Sequence, residues 1–94
     1  MGKGEHMTSK QLITKYKEFG IQILYQGFHV HGTIKIRKWC LVIPYTHALY
    51  RTPESYVTAV YGYIDCVQEE IENFIKMFYN PFTKQLEMGN GVIV

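Results

Sequence analysis

Ninety-four residues with 47% apolar and 15% aromatic side chains are enough for one domain with a dense core, and they exclude a disordered tail. No apolar run approaches the roughly 20 residues of a membrane-spanning helix, so no bilayer crossing is expected. The net charge of +2 conceals an imbalance: residues 1–52 carry eight Lys/Arg against Glu5 and Glu18, while residues 53–94 carry only Lys76 and Lys84 against six acids. This places a basic face on the first half and an acidic one on the second.

Residues 1–7 read as a flexible lead or an expression scar, with Met7 a candidate natural start. Residues 8–94 read as a single α+β domain. Thr8-Ser9-Lys10-Gln11 fits a capping box, in which the Thr8 hydroxyl and the Gln11 amide satisfy each other's backbone N–H groups. A short helix is therefore expected over 8–19, with Leu12, Ile13, Tyr16 and Phe19 as its apolar stripe and Gly20 as its stop.

Ile21, Ile23 and Tyr25 alternate as in a strand. The apolar phase then shifts to Phe28 and Val30, so Gln26-Gly27 is a turn or a bulge, and Gly32 marks a second break. Residues 33–45 form the strongest strand region. Ile34 and Ile36 face one way, and Thr33, Lys35 and Arg37 the other. From Trp39 to Ile43 the run is apolar on both faces, as in a covered strand, and Pro44 is expected to end it. Arg37-Lys38 is either a hairpin turn or part of one continuous strand.

Thr52-Pro53-Glu54 combines a cap residue, a first-turn proline and a first-turn acid. It predicts the start of one long amphipathic helix with a stripe through Val57, Val60, Tyr61, Ile64, Val67, Ile71, Phe74 and Phe78, closed by Asn80-Pro81. Gly62 would sit inside it as a kink or close packing point. The alternation of Phe82, Leu86 and Met88, followed by Gly89-Asn90-Gly91, fits a C-terminal hairpin or extended tail ending in bare Val92-Ile93-Val94. The expected architecture is α+β: a short N-terminal helix, a small antiparallel sheet of about three strands, one long helix and that tail.

Cys40 and Cys66 belong to no C-x-x-C pair and no secretory signal precedes them, so two reduced, buried thiols in a cytoplasmic protein are expected. His29, His31, His47 and the two cysteines match no zinc-ligand spacing. Apolar surroundings disfavour a thiolate nucleophile, and Gly89-Asn90-Gly91 lacks the Lys-Ser/Thr of a phosphate loop. No catalytic, metal or cofactor residue is assigned.

The run Tyr25-Gln26-Gly27-Phe28, then Trp39 and Leu41, then Thr52-Pro53-Glu54-Ser55-Tyr56 with Ala59 and Ile64-Asp65 resembles a pattern in short proteins of phages and mobile elements. It is also similar to the arm-binding domains of tyrosine recombinases, which implies a three-stranded sheet packed on a helix and, by analogy, DNA contact. Two functional expectations result. The first is a non-enzymatic protein-binding module, phage- or mobile-element-encoded, that contacts a host or self protein through Glu69, Glu70, Tyr63, Val92 and Ile93. Its eight tyrosines favour an interface, and a homodimer through the helix or the tail is expected. The second is a nucleic-acid-binding accessory protein using the basic strand 33–38, with Lys35, Arg37 and Lys38 supported by Lys10 and Lys17.

Overall fold

The computed structural model describes residues 8–89. The N-terminal lead and the Val92-Ile93-Val94 end, with the partner-binding expectation for Val92 and Ile93, lie outside the described residues. Thr8 closes the expected capping box: the Gln11 N–H donates to Thr8 Oγ1 (3.1 Å), and the Thr8 N–H donates to Gln11 Oε1 (3.0 Å). Helix α1 (Ser9–Lys15) follows, then a 3-10 turn (Lys17–Phe19), and Gly20 ends the segment at φ 72°. That left-handed value suits glycine.

Strand β1 (Gln22–His31) runs antiparallel to β2 (Ile34–His47), from Gln22 opposite Val42 to His31 opposite Ile34. The phase shift read from the sequence is a bulge between Tyr25 and Phe28, with Gly27 at φ 86°. Gly32-Thr33 forms the hairpin turn, so β2 is continuous through Arg37-Lys38. Pro44 does not end it. β1 begins opposite Val42 and the strand at Gln85–Met88 joins only at Thr46, so one side of β2 is vacant at Pro44, where a missing N–H is tolerated.

The largest departure from the sequence reading is at 53–61. These residues form β3 (Pro53–Tyr61), paired antiparallel to β2 from Thr46–Pro53 to Lys38–Tyr61. The helix starts eleven residues later than Pro53, as α2 (Ile64–Phe78). Thr52-Pro53-Glu54 carries the composition of a helix start, yet Pro53 is equally suited to the first position of an edge strand. Val57, Thr58 and Val60 are β-branched, and β2 offers them a ladder. The spacing of Val57, Val60, Tyr61 and Ile64 mimics a helical stripe because both faces of β3 carry apolar residues, Val60 towards the core and Val57 and Tyr61 away from it.

After α2, β4 (Tyr79–Asn80) and β5 (Gln85–Met88) pair antiparallel around residues 81–84. This hairpin turns at 81–84, and the turn expected at Gly89-Asn90-Gly91 lies largely outside the described residues. Asn80 holds that turn, its Oδ1 accepting from the Phe82 N–H (2.9 Å) and the Thr83 N–H (3.4 Å). β5 then lies parallel to the end of β2, with Thr46 opposite Glu87 and His47 opposite Met88. The result is an α+β fold with two helices and a five-stranded mixed sheet.

One face of the sheet carries the core. Ile21, Ile23, Trp39, Leu41, Ile43 and Val60 meet Leu12 and Tyr16 from α1, Val67, Ile71 and Phe74 from α2, and Leu86 from β5. Val57, expected in this core, is 62% exposed on the opposite face, and Ile64 is only partly buried. Both cysteines are free and half-buried rather than fully buried. Among the described residues no helix is long and apolar enough to cross a membrane.

Candidate functional site

The register fixes what the sheet shows to each side. Residues paired across β1, β2 and β3 share a face. Trp39, Leu41 and Ile43 turn to the helices, so Lys38, Cys40 and Val42 turn away with their partners Tyr61, Ala59 and Val57 on β3 and Leu24 and Gln22 on β1. Leu24 (49%), Val57 and Tyr61 (43%) are exposed, and Lys38 is the one charged side chain in this three-stranded region. No described element covers this side. The sequence reading of a covered strand over Trp39–Ile43 thus meets a sheet covered on one side only. Apolar material on an open sheet face is a feature of interaction surfaces.

A second surface forms where the β1–β2 hairpin extends towards the start of α2. Phe28 lies opposite Arg37, and Val30 opposite Lys35, so these four side chains share the helix side of the sheet. The Arg37 guanidinium lies over two rings, 5.5 Å from the Phe28 centroid and 5.3 Å from that of Tyr63. The Lys35 ammonium lies 5.5 Å from Phe28. Backbone contacts tie the assembly together: the Gly62 N–H donates to the Arg37 carbonyl (2.9 Å) and Trp39 Nε1 donates to the Gly62 carbonyl (2.9 Å). Gly62 is therefore the joint between β3 and α2, at φ 131°, and not a kink inside a helix. A cleft of about 490 Å³ opens here between Ser9, Arg37, Trp39, Tyr63, Ile64 and Asp65.

The five cations assigned to a nucleic-acid surface do not form one patch. Lys35 and Arg37 share the helix side of the arm, while Lys38 lies on the opposite face beside Tyr61. Lys10 is on α1, and Lys17 is in the 3-10 turn next to the other end of β1. Glu69 and Glu70 border a separate cleft with Ala59, Val60, Tyr61, Cys66 and Asn73, apart from Tyr63 and the arm. Sequence reasoning missed the Phe28–Arg37–Tyr63 cluster because Tyr63 reaches it only through the β3–α2 reversal. The alternation of Phe28 with Val30 and of Lys35 with Arg37 was its one local signal.

The remaining polar clusters hold the fold. Arg51 (3.0 Å), Thr83 (2.6 Å) and Asn80 (3.2 Å) all donate to the Glu87 carboxylate. Those bonds, the Arg51 one foremost, bring its pKa down to about 2. The Tyr16 hydroxyl donates to Glu72 (2.9 Å). Burial, then that bond, pushes the Tyr16 phenol up to about 12. Bonds from Gln68 and Tyr16 hold Glu72 below the usual carboxylate range. His47 Nδ1 accepts the N–H groups of Leu49 and Tyr50, both at 3.1 Å, and so organises the β2–β3 turn. Among the described residues no three metal-ligating side chains come together.

No family model, curated protein or solved structure matches this chain.

Proposed function

We propose that this chain is a small non-enzymatic protein-binding module that acts through the open face of its three-stranded sheet, and that a second copy of the chain is the occupant this face fits best. The observation that carries the reading is the row of Leu24, Cys40, Val42, Val57, Ala59 and Tyr61, which no described element covers. Two such faces stack as in a β-sandwich, about 10 Å apart. A two-fold axis at Cys40 sets Lys38 of one copy over Val42 of the other. The two lysines then stand four residues apart along the strands, roughly 13 Å at 3.3 Å per residue, so no like charges meet. The same patch on both partners satisfies a closed dimer.

Light scattering across micromolar concentrations tests this. The expected mass is twice that of the chain, falling to one chain in Leu24→Glu and in Val57→Lys, with unchanged circular dichroism. A wild-type mass that stays at one chain at every concentration removes the second copy as the occupant. A dimer that survives both substitutions moves the contact elsewhere.

A further inference from the structure

We propose that the cleft between the β1–β2 arm and the start of α2 binds single-stranded nucleic acid, with Arg37 and Lys35 on its phosphates and the Tyr63 and Phe28 rings as stacking surfaces for its bases. The cleft lies on the helix side of the sheet, opposite the apolar face, so this binding and self-association are separable.

Three observations carry the assignment. The first is the state of Arg37. Its guanidinium is in contact with two aromatic rings, yet it makes no side-chain hydrogen bond or ion pair among the described residues. The two ion pairs found there are Lys15–Glu72 and Arg51–Glu87. A planar fork of N–H donors, in contact with two rings and with no acceptor among the described residues, is suited to the oxygens of a phosphate. Lys35 adds a second cation two residues along the same strand face.

The second observation is the shape around Tyr63. Arg37 and Tyr63 border two adjoining clefts. The larger, about 490 Å³, is lined also by Ser9, Trp39, Ile64 and Asp65. The smaller, about 310 Å³, is lined by Phe28, Lys35, Ile36 and Gly62. Both fall within the roughly 300–1,000 Å³ of small-ligand sites. The Arg37–Tyr63 pair therefore lines both clefts, each with a volume suited to about one nucleotide unit.

The third observation is chemical selectivity. Tyr63 (69%) and Phe28 (54%) are exposed, and exposed rings beside cations make a stacking platform for unpaired bases. In a duplex those base faces are already occupied. Asp65, in the larger cleft, accepts N–H groups, which bases offer.

The chain's single tryptophan, Trp39, lines the larger cleft and reports on occupancy. Titration with a thymidine oligonucleotide of about ten residues is expected to give a saturable change in Trp39 fluorescence. Polyglutamate of equal charge and a duplex of equal length are expected to bind more weakly. Tyr63→Ala lowers affinity roughly ten-fold or more, while Tyr63→Phe keeps it. Arg37→Gln weakens binding and reduces the salt slope by about 0.7, the value for one single-strand phosphate contact. All variants are checked for an unchanged melting midpoint, and should Tyr63→Ala unfold, Arg37→Gln and Tyr63→Phe still decide. The proposal is overturned if the oligonucleotide changes neither the fluorescence nor the chain's electrophoretic mobility. It is also overturned if polyglutamate or duplex binds as tightly, or if folded Arg37→Gln keeps the wild-type affinity and salt slope.

Discussion

Trp39 Nε1 donates to the Gly62 carbonyl at 2.9 Å across 23 positions of sequence, and the Gly62 N–H donates back to the Arg37 carbonyl on the same strand. The residue at which β3 turns into α2 is thereby fastened to β2 through both of its backbone polar groups. This fixes where the helix begins and how Tyr63 meets Arg37.

Gly62→Ala is expected to destabilise the fold by roughly 1–3 kcal/mol, the usual cost of a side chain in such a backbone region. The φ of 131° is unfavourable for a side chain, and the added Cβ would stand 2.7 Å from Cys66 Sγ. Urea unfolding followed by Trp39 fluorescence measures the cost. A loss under half a kcal/mol would show that the junction relaxes freely.

Ile71→Ala and Val57→Ala form a contrasting pair. Ile71 is fully buried between α2 and the sheet, so its truncation is expected to cost about 2–5 kcal/mol. Val57 faces away from the core, so its truncation is expected to cost under about 1 kcal/mol, measured at a concentration low enough to keep the chain monomeric. Equal losses at the two positions would contradict the strand assignment of 53–61.

Acid stability is expected to depend on Glu87. Its folded pKa, about 2, lies below its unfolded value near 4.3. The contribution of the Arg51–Thr83–Asn80 cluster is thus complete above roughly pH 5 and is lost as pH falls towards 2. Glu87→Gln should flatten that part of the stability profile, followed by melting midpoints between pH 2 and pH 7. An unchanged acid limb would show that the carboxylate pairs equally well in the unfolded chain.

At alkaline pH the controlling group is Tyr16. Its phenol, raised to about 12 in the folded chain, contributes stability present below its unfolded pKa near 10 and lost as pH climbs through 12. Tyr16→Phe is expected to remove this alkaline dependence, read from unfolding midpoints between pH 9 and pH 12. A variant with the same alkaline slope would place the titrating group elsewhere.

The parts legible in the sequence were those whose cause is local. The Thr8–Gln11 box, the stop at Gly20, the phase shift at Gln26-Gly27 and the turn at Gly32 each depend on residues within a few positions of one another. β3 was misread because Pro53 serves a helix start and an edge strand alike, and only the presence of β2 decides between them. The parallel pairing of β5 with Thr46 and His47 spans some forty residues, and nothing local announces it. Of the surfaces, the sequence showed the two-sided apolarity of 39–43 but not which side stays open. It showed Lys35 and Arg37 as a pair but grouped them with Lys38, which the alternation itself places on the other face.

The bulge at Gln26-Gly27 has a consequence for variants of the arm. Three steps of β1, from Tyr25 to Phe28, run against two of β2, from Trp39 to Arg37. Removing Gly27 would therefore let the ladder close evenly while Phe28 still meets Arg37, and Tyr25 still meets Trp39. Every cross-strand neighbour would survive, and only the extra local twist that a bulge imparts would disappear. The direction in which the arm points is thus an adjustable quantity, set by one residue and independent of the side chains that the arm carries.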